Sequence, residues 1–239
     1  GWVEHNPEDI WASVLKGIRK IFARKLCKPS DIVAIGITNQ RETSLLWHRE
    51  TGEALHNAIV WQCRRTADVC EQIKAQGLES KIKRKTGLVL DPYFSASKYA
   101  WLLQHGRGAR RLAKQGKVAA GTIDSYLLWR LTGGEVHGTE ISNASRTSLM
   151  SLSGQRWDPE LCEVFGVPRD ILPRILPSSG PMGSTQGVPG LPDGIPIAGI
   201  AGDQQSALFG QACFRTGEAK CTFGTGSFIL MNKIGRAHV

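Results

Sequence analysis

Two polar clusters in this 239-residue chain, Asn39-Gln40-Arg41-Glu42 and Gly202-Asp203-Gln204-Gln205, each follow closely on an apolar run containing glycine. The runs at residues 32–37 and 195–201 read as interior strands of an α/β sheet. That would put both clusters at the carboxyl ends of strands, where such sheets bind ligands. A hydroxyl both donates and accepts, whereas Arg41 only donates and ionised Glu42 or Asp203 only accepts, so the set suits a vicinal diol or another polyhydroxy ligand.

Asp203 has two readings from its residue type and place. It could take a proton from a reacting hydroxyl, or it could simply cap a helix, since Gln204-Gln205-Ser206-Ala207-Leu208-Phe209 has helical character. Thr222-Phe223-Gly224-Thr225-Gly226-Ser227 is a glycine-rich turn able to point backbone N–H groups at phosphate oxygens. Trp61, directly after Ile59-Val60, reads on its own as core.

The elements that must position these residues alternate between helix and strand, which predicts an α/β layered domain. Ile10, Trp11, Val14, Leu15, Ile18, Ile21 and Phe22 recur at helical spacing behind an Asn6-Pro7 start, predicting an amphipathic helix over residues 8–26. Residues 44–48 with Thr51-Gly52-Glu53 predict a strand and turn, residues 58–61 a second strand, and residues 66–75 a helix. A strand and helix follow over residues 119–132, capped by Asp124-Ser125 and stopped by Gly133-Gly134, and a further helix over residues 157–165. Six of the eleven prolines fall in residues 173–196, which predicts a surface connection.

Composition excludes several classes. At 41% apolar content the chain can bury a large core, and no apolar run approaches the roughly 20 residues that span a bilayer. Gly1-Trp2-Val3-Glu4-His5 has neither the basic region nor the apolar stretch of a signal peptide, so a cytoplasmic location is expected. The six cysteines, Cys27, Cys63, Cys70, Cys162, Cys213 and Cys221, contain no C-x-x-C pair and no histidine at metal-ligand spacing, which predicts reduced thiols and no zinc site. The net charge of +9 concentrates in Lys81-Ile82-Lys83-Arg84-Lys85 and residues 107–117. Neither stretch is interleaved with aromatics, so solvated helix faces are expected rather than a nucleic-acid surface.

Three segments carry a resemblance: Ile37-Thr38-Asn39-Gln40-Arg41-Glu42, Ile59-Val60-Trp61-Gln62-Cys63-Arg64-Arg65-Thr66 and Gly199-Ile200-Ala201-Gly202-Asp203-Gln204-Gln205. Together with Tyr93-Phe94-Ser95-Ala96-Ser97-Lys98-Tyr99-Ala100-Trp101-Leu102-Leu103-Gln104-His105, they resemble the FGGY carbohydrate kinases, nearly as they stand in the bacterial members that phosphorylate glycerol. The resemblance runs from Gly1 to about Asn232. It implies a ribonuclease-H-like, actin-like ATPase fold of two lobes around a cleft. Residues 1–211 would be most of the first, substrate-binding lobe, incomplete at its start, and residues 212–233 would begin the second, nucleotide lobe. Residues 234–239 depart from the family's pattern and are expected to be a non-native tail. A phosphate loop upstream of Gly1 and most of the adenosine-binding lobe would be missing, so the fragment alone is expected not to turn over ATP.

The activity so implied is ATP-dependent phosphorylation of glycerol to glycerol 3-phosphate, with Mg²⁺ carried by the nucleotide, in a protein that forms a homo-oligomer and binds neither nucleic acid nor membrane. The resemblance gives Asp203 the role of base, and Arg41, Glu42, Tyr93 and Gln204 that of polar substrate contacts. Trp61 and Phe228 would wall the glycerol carbons, and Gly224, Thr225 and Gly226 would form a phosphate loop in which Thr225 meets ATP. Two other readings stay open: a kinase for a pentulose or another sugar or polyol, and a non-catalytic polyol-binding paralogue.

Overall fold

The computed structural model describes residues 1–224 and 226–233. Thr225 and the tail at residues 234–239, on which two of the expectations above fall, lie outside the described residues.

Strand β1 (Glu4–His5) leads into helix α1 (Pro7–Ala23). Its start is set by Asn6, whose Oδ1 accepts the Glu8 N–H at 3.0 Å, and by Pro7, whose missing N–H costs nothing in the first turn. The helix ends three residues before the expected stop, and Lys25 turns the chain with a left-handed φ of 54°. Strand β2 (Ile35–Asn39) begins later than the apolar run suggests, because Pro29–Asp31 winds into a 3₁₀ turn closed by the Ile32 N–H. Next come β3 (Ser44–His48), β4 (Ala58–Ile59), α2 (Ala67–Ala75), α3 (Glu79–Thr86), α4 (Ser95–His105), α5 (Ala109–Lys114) and β5 (Val118–Thr122). After them run α6 (Ile123–Leu131), β6 (Gly138–Glu140), α7 (Ile141–Ala144), β7 (Met150–Ser151), β8 (Arg156–Trp157), α8 (Pro159–Phe165) and β9 (Arg174–Leu176). The chain finishes with β10 (Ile197–Gly202), α9 (Asp203–Gly210), and the hairpin of β11 (Ala219–Phe223) and β12 (Ser227–Met231).

Four strands form one sheet in the order β1-β4-β3-β5. Because a strand sends alternate side chains to opposite faces, β3 feeds two cores at once. Leu45 and Trp47 enter a cluster with Trp11, Ile37, Tyr126, Leu128, Ile197 and Ile200. Leu46 enters another with Ile59, Tyr99, Leu102, Leu161 and Phe165. Each fully buried Leu or Ile in these clusters contributes about 1.5–3 kcal/mol relative to exposure.

The two strands that carry the polar clusters are neighbours. β2 and β10 pair in parallel with each other, ending side by side at Asn39 and Gly202. β2 has no second strand partner among the described residues, and its Gly36 and Thr38 face solvent. Beyond β10 lies the proline-rich segment, which is more than a surface connection. Gly180, Met182 and Thr185 donate their N–H groups to Ala198, Ile197 and Ile195, and Met182, Thr185, Val188 and Ile195 are buried. Its prolines lack a donor, and Gly180 and Gly183 adopt φ of 135° and 123°, so it covers the edge of β10 without forming a continuous strand.

The expected cap of α6 also differs. Thr122 holds the N-cap position, and no side chain closes the helix end. Asp124 is instead fully buried, accepting the Thr122 and Thr139 hydroxyls at 2.5 and 2.6 Å. Burial pushes its carboxyl up to about 6. Gly133 and Gly134, with φ of 60° and 89°, do stop the helix. The six cysteines are free thiols, and no helix among the described residues is long and apolar enough to cross a membrane. In the basic stretch on α3, Lys81 and Lys85 are paired with Glu160 of α8, and Lys85 also with its N-cap Asp158, so part of that charge is already balanced within the chain.

Candidate active site

The parallel pairing of β2 and β10 brings the two polar clusters together. Gly202 lies opposite Asn39 in the register, so Asp203 leaves β10 beside the turn that carries Arg41 and Glu42. Around this point a cavity of about 240 Å³ is lined by Arg41, Glu42, Trp61, Tyr93, Asp203 and Gln204, together with Gly224, Gly226 and Phe228 from the hairpin turn and strand. Every described residue singled out from the sequence as a site candidate therefore faces one small space. Its volume falls below the roughly 300–1,000 Å³ of sites for drug-sized ligands and suits a molecule of few heavy atoms. Larger concavities exist, one of about 840 Å³ beside Arg110 and Arg111, but none of the residues singled out from the sequence lines it.

Arg41 and Glu42 are not an ion pair with each other at the surface. Both are buried, at 8% and 2% exposure. Arg41 Nε sits 3.3 Å from Asp203 Oδ1, yet its N–H is not aimed at that oxygen and makes no hydrogen bond among the described residues. The two side chains thus form an ion pair on the wall of the cavity. Glu42 Oε1 instead accepts Arg146 Nε at 2.5 Å, and the Glu42 carbonyl accepts the Ser44 and Ser95 hydroxyls at 2.9 and 3.3 Å. Its φ of 59° is left-handed, a strained conformation for a residue with a Cβ.

Tyr93 packs edge-on against Trp61, with ring centroids 5.5 Å apart. Burial pushes its phenol up, and the Glu42 carboxylate adds to the shift, so the hydroxyl stays protonated and able to donate. Asp203 is the first residue of α9 rather than its cap, which is Gly202; Asp203 Oδ1 accepts the Gln204 N–H at 2.9 Å, and its side chain is 45% exposed. Gln204 is buried and already engaged. Its Oε1 accepts Lys220 Nζ from β11, and its Nε2 donates to Asp203 Oδ2 at 3.2 Å. It therefore holds Asp203 from the side away from Arg41. Lys220 also donates to Thr222 Oγ1 at 2.6 Å, tying the glycine-rich hairpin to α9.

Residues 1–210 match the N-terminal domain of the FGGY family of carbohydrate kinases. The chain belongs to that family. Among FGGY relatives, a glycerol kinase of Bdellovibrio bacteriovorus is 59% identical over 97% of this chain and 47% of its own length. One of Bradyrhizobium diazoefficiens is 56% identical over 97% of this chain and 46% of its own length. The chain thus spans about half the length of the curated relatives it matches. Among solved structures, Plasmodium falciparum glycerol kinase with ADP superposes with a TM-score of 0.88 at 38% identity, covering 97% of this chain and 46% of that one. A gluconate kinase of Lactobacillus acidophilus shares the fold at 22% identity and TM-score 0.81, over 95% of this chain and 45% of that one. The fold is accordingly that of the first lobe of the actin-like FGGY kinases.

Two residues that support the cavity wall were not legible in advance. Arg146, which pairs with Glu42 and sits 5.5 Å over the Tyr93 ring and 4.9 Å over Phe94, is a lone arginine in a Ser/Thr-rich stretch with no spacing signal. Lys98 stands inside the resembling segment, but its contacts are visible only in three dimensions. It is fully buried on α4, and its Nζ donates to the carbonyls of Pro92, Tyr93 and Phe94 at 2.9, 2.5 and 3.0 Å. It thereby holds the turn that presents Tyr93.

Proposed function

We propose that this chain is the acceptor-binding part of an ATP-dependent glycerol kinase that produces glycerol 3-phosphate. The observation that carries the reading is the small cavity in which Arg41, the carboxylates of Glu42 and Asp203 and the rings of Trp61, Tyr93 and Phe228 converge, in a chain 51–59% identical to proteins named glycerol kinase.

Glu42 accepts from a glycerol hydroxyl, Arg41 donates to one, and Tyr93 supplies a further polar contact. The Trp61 and Phe228 faces cover the C–H surface. Phosphoryl transfer asks mainly for positioning and for a group that takes the hydroxyl proton. Asp203 is that group: its carboxylate suffices because in a loose transition state the proton leaves late. In the glycine-rich turn the Gly224 N–H is taken by the Gly226 carbonyl at 3.1 Å, so the Gly226 N–H is the donor left to meet the phosphates, and residues 212–233 open the nucleotide lobe. Mg²⁺ supplies charge neutralisation on the phosphates when nucleotide is bound. The ion would be held by phosphate oxygens and water as well as carboxylates.

The test is ADP release by the full-length protein with glycerol, xylulose, ribulose and gluconate in parallel. Glycerol-selective turnover is expected. Turnover on a sugar alone moves the substrate within the family, and none on any of the four favours the binding paralogue.

A tighter check uses Gly202. A Cβ added there would stand 2.7 Å from Arg41 Cγ, inside contact distance. Gly202→Ala is expected to push the Arg41 side chain from its place and raise the KM for glycerol about tenfold, the scale of one charged hydrogen bond. An unchanged KM would remove Arg41 from the binding set.

A further inference from the structure

The site depends on two strand ends keeping their spacing, and the first turn of α7 grips both. Glu140, the N-cap of α7, is fully buried, forms no ion pair among the described residues, and its carboxylate accepts five hydrogen bonds. Oε1 accepts the Ser142 hydroxyl at 2.5 Å, the Asn143 N–H at 2.8 Å and Asn143 Nδ2 at 2.9 Å. Oε2 accepts the Ser142 N–H at 2.7 Å and the Ser178 hydroxyl at 2.8 Å.

A carboxylate that only accepts dictates the direction of everything attached to it. The Ser142 proton must point at Glu140, which leaves the Ser142 oxygen free to accept the Gly202 N–H at 2.8 Å, one residue before Asp203. The Asn143 amide must present its NH₂ to Glu140, which turns its oxygen toward Asn39. Asn143 Oδ1 accepts Asn39 Nδ2 at 2.9 Å, and Asn143 Nδ2 reaches Asn39 Oδ1 at 3.2 Å. Asn39 in turn donates to the Gln40 carbonyl at 3.0 Å, at the start of the turn bearing Arg41 and Glu42. One acid therefore reaches the base through Ser142 and the binding pair through Asn143.

We propose that Glu140 is a positioning residue that sets the distance between Asp203 and the Arg41-Glu42 turn by two separate arms. The proposal rests on the reading of Asp203 as the base. Because a misplacement of about 1 Å can cost about 100-fold in rate, each arm has its own kinetic signature. Ser142→Ala loosens Asp203 and lowers kcat about tenfold at nearly constant KM. Asn143→Leu loosens the binding turn and raises KM for glycerol about tenfold with a smaller change in kcat. Glu140→Gln, which puts an NH₂ against donors, does both, and Ser142→Thr, which keeps the hydroxyl, restores kcat.

These constants are measured in the full-length enzyme, beside amide hydrogen exchange at Gly202 in the same protein. Exchange at Gly202 is expected to speed at least tenfold in Ser142→Ala and to stay slow in Ser142→Thr. Unchanged exchange in Ser142→Ala would remove the network. Lost protection with unchanged kcat and KM, or equal losses of kcat in both arms with unchanged KM, would reduce Glu140 to a structural residue. Full turnover by Asp203→Asn would instead sink the reading of the base, while the exchange result would still stand or fall on its own.

Discussion

Asp203→Asn in the full-length protein is expected to lower kcat by about 10³–10⁴ while changing the KM for glycerol only a few-fold. The substitution keeps the shape and removes the proton acceptor, and a positioned general base contributes about 10²–10⁴. A second effect adds to the loss. Gln204 Nε2 donates to Asp203 Oδ2, and Gln204 cannot turn its amide over because Lys220 holds its Oε1. An asparagine that keeps its oxygen toward Arg41 and the Gln204 N–H then sets its own NH₂ against a second NH₂. The ligand's polar contacts to Glu42, Arg41 and Tyr93 are untouched, which is why binding should survive. Steady-state kinetics decide: equal damage to kcat and to affinity would make Asp203 a binding residue, and full activity would end its candidacy.

The second large effect concerns stability. Lys98→Met keeps the length of the side chain but strips three buried carbonyls, those of Pro92, Tyr93 and Phe94, of their donor. A stranded buried group costs about 1–3 kcal/mol. Relief of the buried ammonium offsets part of that, leaving a net loss of about 3 kcal/mol. For a chain of this size that lowers Tm by roughly 6–12 °C. Burial pushes Lys98 down to about 7 from 10.5. Between those values the unfolded chain binds more protons than the folded one, so the wild-type stability climbs with pH and the gap to Lys98→Met widens from pH 7 toward pH 10. Denaturation curves at the two pH values check both statements. A gap that shrinks, or a variant as stable as wild type, would contradict them.

The positions of Arg41, Glu42 and Asp203 could be foreseen because an apolar run followed by charge marks a strand end whichever fold encloses it. The surroundings of those residues could not. Arg146 and Glu42 are 104 residues apart in the chain, as are Asn39 and Asn143, and no local period records such a meeting. Asp124 misled for a related reason. An acid followed by serine at a helix start is the pattern of a cap, and only the packing of β6 against α6 turns it inward toward Thr139. The proline-rich stretch misled in the opposite direction, since prolines and glycines mark irregular backbone but say nothing of whether that backbone is covered. The roles assigned through family resemblance, such as those of Trp61 and Phe228, rest on a shared wall of one cavity and on the kinetics still to be measured.

The left-handed backbone at Glu42 sets heat resistance against function. A residue with a Cβ held there costs about 1–2 kcal/mol relative to glycine. Selection for a hardier fold alone therefore pulls position 42 toward glycine or asparagine, the residues its backbone prefers. That drift would discard the carboxylate facing the cavity. On the proposed function, the strain at Glu42 is the cost of keeping that carboxylate.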